Sequence, residues 1–354
     1  MMTPDAESSS AVVVREARPA DADAIAAFTH DTWGERHEDY IPRVFPEWAA
    51  SDDPDSGTFV ATLPPEAVAE SDAVAERDDR AEGDTLVEGD GAGAVAAGEP
   101  EAVVGCIQGV LLSEWEAWGQ GIRVDPAARG FGVGTALSTA ALDWARDRGA
   151  RVCRNMVFSW NIMGLGQSRA VGFEPATEFR FAEPEPDASA SMGGSEATPL
   201  ETVTDPDPNA AWAFWSDSDA RDHLRGLALD SDESWACSAL TRGRLATAAD
   251  EDRLLAVADA DALAGFAVRT RVTERETDNE TIRTATYGTA AWRDVDAAGA
   301  LYDAIAGDAA AVDADAARVL IPETVEHVSD TGANRIPVAA EPDFVMSADL
   351  TGEP

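Results

Sequence analysis

The chain has 354 residues, with 67 Asp and Glu against 26 basic residues, every one of them arginine, for a formal net charge of −41. That length holds two domains of ordinary size. The acids run along the whole chain and no basic patch stands out, which excludes nucleic acid and anionic membranes as partners.

A surface so charged repels itself in dilute buffer, but in ~1 M salt the Debye length is about 3 Å and the repulsion is screened. The composition therefore predicts an intracellular, halophilic protein. Cys106, Cys153 and Cys237 are odd in number and far apart, which predicts a reduced compartment without a disulfide framework. No apolar run reaches membrane-spanning length, and residues 1–10 are polar rather than a signal peptide. The expectation is a soluble, cytoplasmic chain.

Residues 12–17 read as a strand and 20–33 as an amphipathic helix. Residues 36–50 read as a second helix, interrupted by Pro42 and Pro46. A strand over 58–63 precedes a stretch, 64–100, rich in Ala, Asp, Glu and Gly and without periodicity, read as an acidic surface insertion. Residues 103–112 and 116–124 complete an antiparallel meander. A glycine-rich turn, Arg129-Gly130-Phe131-Gly132-Val133-Gly134, then opens a helix that ends at Gly149. Val133, Leu137, Ala140, Ala141 and Trp144 give that helix one apolar stripe for burial on a sheet. Residues 151–158 read as a strand, Asn161 opens a short helix to residue 170, and Val171-Gly172-Phe173-Glu174 begins the next strand.

A glycine-rich turn feeding a helix N-terminus leaves several N–H groups pointing one way, with a dipole that favours an anion. The turn reads as a cradle for a phosphate or pyrophosphate. A P-loop needs Gly-x4-Gly-Lys-Ser/Thr, and the chain has no lysine. A dinucleotide fingerprint needs Gly-x-Gly-x-x-Gly, but Thr135 or Leu137 stands at the third glycine, depending on the start of the count. What fits is Arg-x-x-Gly-x-Gly after Val-x-Pro, here from Val124-Asp125-Pro126 through Arg129 to Gly134.

This pattern closely resembles the pyrophosphate loop of the GNAT superfamily of N-acetyltransferases, which bind acetyl-CoA. Asn161, followed by Gly172-Phe173, is also part of that pattern. The resemblance covers residues 11–183 and implies an α/β (α+β) GNAT fold: a mixed, mostly antiparallel twisted sheet flanked by helices. It implies acetyl-CoA contacts from Val124, Arg129, Gly130, Phe131, Gly132, Val133, Gly134 and Asn161. Tyr40-Ile41-Pro42 with Trp48, and Trp118-Gly119-Gln120-Gly121, are similar to segments of histidine N-acetyltransferase-like proteins, many of which carry Glu where Gln120 stands.

Residues 184–208 form a Pro-, Glu-, Asp- and Ser-rich linker, and 209–350 repeat the theme weakly. A helix is expected over 213–227, strands over 235–242, 254–258, 264–272 and 282–292, then a helix over 294–305 and a strand over 318–321. A short helix over 323–329 and a strand over 343–347 close the chain. This order resembles a second GNAT-like half. Where the cradle should lie it has Arg293-Asp294-Val295-Asp296, and an aspartate at a helix N-terminus repels a phosphate. The expectation is one active half and one degenerate half that does not bind coenzyme A.

The chemistry implied is attack by a neutral amine on a thioester, with a base for the ammonium proton and a donor for the leaving thiolate. Glu116, at the start of the fourth strand, is the base candidate, if need be through water. The family's usual tyrosine donor falls on Ser168 here, a weak acid, so water or Tyr40 would substitute. His30, His37, His223 and His327 show no metal spacing, and no metal is expected. The sequence thus points to an acetyl-CoA-dependent N-acetyltransferase, an acyltransferase, acting on the amine of a small molecule, with amino acids among the candidates. The alternatives are a protein N-acetyltransferase and a noncatalytic acetyl-CoA-binding regulator.

Overall fold

The computed structural model describes residues 12–30, 32–34, 39–65, 67, 101–190, 200–260, 262–276 and 281–352. Most of the insertion expected over 64–100, the middle of the expected linker, His37 and the start of the second expected helix lie outside the described residues. The chain forms two compact units and crosses between them after Cys153, Gly166, Phe173 and Ser347.

The first unit holds strands β1 (Val13–Glu16), β2 (Ser56–Leu63), β3 (Ala102–Leu111) and β4 (Glu116–Val124), adjacent in that order and antiparallel throughout. Helices α1 (Ala22–Thr29) and α2 (Ile41–Ala50) cover one face. There Ile25, Ile41 and Phe45 pack with Val60 of β2 and Cys106 of β3. The proline pair does not interrupt α2. Pro42 sits in the first turn, where no N–H is needed, and Pro46 removes one bond near the helix start, a loss offset by burial of Ile41 and Phe45.

Helix α3 (Val133–Asp147) covers the opposite face, burying Val133, Leu137, Ala141, Leu142, Trp144 and Ala145. It sits close because glycines face it. A Cβ on Gly105 would lie 2.9 Å from Leu137 Cδ1, and one on Gly57 would lie 2.6 Å from Trp144 Nε1.

β5 (Val152–Phe158) and α4 (Ile162–Ala170) follow, as the sequence leads one to expect. The next strand, β6 (Glu174–Ala182), belongs by its contacts to the second unit, although the sequence reads it as the end of the first domain. The reason is its pairing. β6 runs antiparallel to both β13 (Ala316–Pro322) and β14 (Asp343–Asp349), so distant segments supply both of its neighbours. Conversely, residues 348–354 group with the first unit, where Leu350 N–H donates to Arg151 O at 2.9 Å.

In the second unit β13 lies parallel to β12 (Thr281–Trp292), and β11 (Leu263–Glu276), β10 (Leu254–Ala258) and β7 (Glu201–Thr202) continue the sheet antiparallel. Helix α8 (Val295–Ala311) buries Ala298, Leu301, Tyr302 and Ile305 on one face of this sheet, the side chains its sequence spacing selects. The other face carries α5 (Pro208–Ser216), α6 (Asp219–His223), α7 (Arg242–Asp250) and the hairpin of β8 (Leu227–Leu229) and β9 (Cys237–Ala239). Two expectations change here. The helix expected over 213–227 is two helices broken at Ser218, whose side chain caps the second. The strand expected over 235–242 shrinks to Cys237–Ala239, because Thr241 caps α7 and ends it. Helix α9 (Val325–Ala333) precedes β14.

With 67 acidic side chains, this fold should be stabilised by salt. Concentrated KCl is expected to raise the thermal unfolding midpoint by weakening self-repulsion. An unchanged midpoint between dilute and molar KCl would remove the halophilic reading.

Candidate active site

Asp125 turns the chain out of β4. Its side chain accepts from Ala127 N–H at 2.9 Å, and its own N–H donates to Val104 O at 2.8 Å, which ties the turn to β3. Pro126–Ala128 make one 3-10 turn, and Arg129 is extended. Gly130 and Gly132 then take φ of 84° and 76°, left-handed values that favour glycine. Gly132 is the N-cap of α3 and offers no side-chain cap.

As a result, the N–H groups of Gly130 through Thr135 donate to nothing among the described residues, and the first bond back into the turn comes from Ala136 to Gly132 O. The space a Cβ would occupy on Gly130 or Gly132 is open to at least 4 Å. Arg129 is exposed, and its guanidinium makes no hydrogen bond or ion pair among the described residues. Six unspent donors, a helix N-terminus and a cation on one turn form a built anion cradle. A Cβ on Gly134 would lie 2.9 Å from Gln167 Oε1, and Gln167 Nε2 reaches Ser138 Oγ at 3.4 Å. Gln167 thus stands beside the cradle, a neighbour that sequence spacing does not reveal.

β4 carries a bulge. Cys106 pairs with Arg123 and Gln108 with Gln120, so two intervals on β3 face three on β4, and Gly121 takes φ of 66°. The bulge puts Gln120 and Arg123 on the face of α1 and α2. Gln120 Nε2 donates to Gln108 Oε1 at 2.8 Å, and Gln108 Nε2 donates to Thr58 Oγ1 at 3.2 Å. Arg123 is buried and forks onto Asp39, Nε to Oδ2 at 2.7 Å and Nη2 to Oδ1 at 3.0 Å. Its guanidinium carbon lies 4.7 Å from the Trp33 ring centroid and 5.5 Å from that of Tyr40. Tyr40 meets Trp48 edge-on at 6.2 Å, and a Cβ on Gly121 would lie 2.6 Å from Trp48 Cζ3. An aromatic and ionic wall therefore stands beside the bulge. A lone arginine in a strand of glycine and apolar residues signalled a buried partner; nothing local named Asp39.

The sequence-derived residues divide accordingly. Val124, Arg129, Gly130, Phe131, Gly132, Val133 and Gly134 come together as one turn, and Tyr40 lies on the wall beside the bulge. Glu116 is buried at the opposite end of β4, eight residues and therefore ~26 Å along the strand from Val124. Its carboxylate accepts from Ser113 Oγ at 3.2 Å within the β3–β4 turn. Ser168 is buried in α4, and its carbonyl accepts from Phe173 N–H at 3.0 Å. Asn161 belongs to the second unit and caps α4, its Oδ1 accepting from Gly164 N–H at 2.9 Å.

The corresponding turn of the second half is closed. Asp294 caps α8, its Oδ1 accepting from Ala297 N–H at 2.9 Å while its other oxygen takes Arg293 Nε at 3.0 Å. The backbone hydrogen bond from Ala297, reinforced by Arg293, holds its carboxyl below the usual range despite partial burial. A fixed carboxylate occupies the place an anion would take. Among the described residues, no three or more His, Cys, Asp and Glu cluster to hold a metal, and no helix is long and apolar enough to cross a membrane.

Residues 23–162, roughly two fifths of the chain, match the family described as Acetyltransferase (GNAT) family. No curated protein matches the sequence. Among solved structures, a GCN5-related N-acetyltransferase from Sphaerobacter thermophilus is similar at TM-score 0.55 and 14% identity, covering 97% of each chain. A tandem GNAT protein from the clavulanic acid biosynthesis pathway is similar at TM-score 0.50 and 13% identity, over 97% of this chain and 100% of that one. A fungal glucosamine N-acetyltransferase region within a multi-domain β-N-acetylglucosaminidase is similar at TM-score 0.53 and 14% identity, over 97% of this chain but 39% of that one. The likeness to a tandem protein fits a second GNAT-like domain after the first. The fold is that of GNAT proteins, the chain is an acyltransferase, and its match to the acetyltransferase (GNAT) family lies in residues 23–162.

Proposed function

We propose that this chain is an N-acetyltransferase that moves an acetyl group from acetyl-CoA to the amine of a small molecule, with free amino acids as the leading acceptors. The observation that carries this reading is the turn of Gly130 through Thr135, with six N–H groups undonated among the described residues beside an Arg129 unpaired among them. The open Cβ positions of Gly130 and Gly132 let pyrophosphate oxygens reach that backbone. In a chain of net charge −41 a coenzyme A anion gains nothing from the long-range field, so close contacts must decide its binding.

Bound here, acetyl-CoA supplies a thioester carbonyl. The chain's own residues do the rest. Arg129 and the N–H groups of residues 130–135 hold the pyrophosphate, and Val124 lies at the strand end that leads into the turn. Trp33, Tyr40 and Trp48 wall the acceptor on the far side of the Gly121 bulge, where the buried Arg123–Asp39 pair fixes the wall. Tyr40 is the hydroxyl assigned to protonate the leaving thiolate. Glu116, at the start of β4, is the base assigned to the ammonium proton, through water. The buried Ser168 has a packing role.

Release of free thiol from acetyl-CoA, followed with a panel of amino acids, other amines and N-terminal peptides, tests this reading. Turnover with a free amino acid supports it. Turnover with peptides alone would favour a protein N-acetyltransferase, the second reading, to which the 37% exposure of Tyr40 lends support. Tight binding of acetyl-CoA without turnover of any acceptor would leave a regulator.

A further inference from the structure

The second unit has a cavity of about 200 Å³ on the sheet face opposite α8. Its floor is a second bulge. Val268 pairs with Thr289 and Arg269 with Tyr287, so Gly288 is an extra residue on β12. A Cβ on Gly288 would lie 2.3 Å from Thr270 Cγ2, so only glycine fits there. The bulge sends Tyr287 into the core under α8 and leaves Thr289 lining the cavity.

Thr289 is wholly buried, and its Oγ1 has no hydrogen-bond partner among the described residues. Such a hydroxyl is a net cost to the fold, and a valine of the same shape would not carry that cost. Thr270, beside it, also lines the cavity and donates its hydroxyl to Thr286 O at 3.0 Å. Arg253 lines one wall. Three of its N–H groups go to Glu251 Oε2 and Arg269 O, and an arginine has five. Leu229, Leu240 and Val268 supply an apolar wall, and the exposed Asp232 stands at the rim.

We propose that this cavity is a second small-molecule site, which binds a free aliphatic α-amino acid through Arg253 and the Thr289 hydroxyl. The carboxylate takes the open donors of Arg253 and the Thr289 O–H, the ammonium faces Asp232, and the side chain lies against Leu229, Leu240 and Val268. The volume is below the ~300–1,000 Å³ of pockets for drug-sized ligands, which restricts the occupant to a small metabolite. A phosphate or other dianion is disfavoured by Asp232. A purely apolar ligand would leave the Thr289 hydroxyl unpaired. The site is separate from the acetyl-CoA cradle and does not depend on the acceptor assigned there.

Calorimetry on the full chain with leucine tests the assignment, with leucinamide lacking the carboxylate and the α-keto acid of leucine lacking the ammonium. Leucine should bind saturably, and both analogues should bind at least about tenfold more weakly. Thr289→Val and Arg253→Gln should each weaken leucine about tenfold and leave acetyl-CoA affinity unchanged. Without ligand, the unfolding midpoint of Thr289→Val should be equal to or above that of the parent. Absence of leucine binding, equal binding of the α-keto acid, or unaltered affinity in both variants would overturn the proposal. So would a lowered midpoint for ligand-free Thr289→Val, which would mean that a trapped water already satisfies the hydroxyl.

Discussion

Gly132→Asp should raise the acetyl-CoA dissociation constant by more than about a hundredfold, equivalent to ~2.7 kcal/mol. The side chain would enter the open space above a residue at φ 76°, at the N-terminus of α3, where the pyrophosphate is placed. Its carboxylate would accept from the first-turn N–H groups and meet the ligand with like charge. Two features make the variant informative. Nothing lies within 4 Å of the new Cβ, so no packing is lost. Aspartate also tolerates the left-handed region better than most residues, so the fold should persist. The second half shows a capping carboxylate on extended backbone, with Asp294 at φ −160° taking the Ala297 N–H at the start of α8. Calorimetry gives the affinity and circular dichroism checks the fold. Unchanged affinity in a folded variant would remove the cradle assignment.

Asp39→Ala should destabilise the first unit by ~3–5 kcal/mol, the range for stranding one member of a buried ion pair. Asp39 is fully enclosed, and it accepts from Arg123 Nε and Nη2 and from Ile41 N–H at 3.0 Å. Its removal leaves a guanidinium buried between Trp33 and Tyr40 without its counter-charge, and frees the first N–H of α2. Asp39→Asn keeps an acceptor for Ile41 and should cost less. Adding Arg123→Leu to Asp39→Ala should recover part of the loss, because the stranded charge is then gone. Urea melts of the parent, Asp39→Ala, Arg123→Leu and the double variant, compared at one salt concentration, measure the coupling. A loss under about 1 kcal/mol, the value of an exposed pair, would show that Arg123 reaches water when Asp39 is absent.

The glycine turn with its free donors was legible in the sequence because its parts are contiguous. Glycines able to take positive φ, an arginine, and a helix whose apolar stripe begins at once are local facts, and backbone geometry alone turns them into free donors. The strand and helix order of the first half followed from periodicity for the same reason, as did the closed turn at Asp294, whereas β7, β8 and α7 of the second half were not expected. The proline pair in α2 misled, since burial of Ile41 and Phe45 outweighs a missing bond that the sequence makes conspicuous. The break at Ser218 and the α7 cap at Thr241 were missed because an N-cap is a short polar signal without a period.

Only the tertiary structure decided the rest. Asp39 and Arg123 are 84 residues apart, and the charge pair exists because α2 and the β4 bulge meet over the sheet. β6 left the first unit because β13 and β14 supply its hydrogen-bonding neighbours, and strand pairing between distant segments is a property of the folded chain. Local backbone preference wrote the cradle, and long-range pairing chose which side chains would stand beside it.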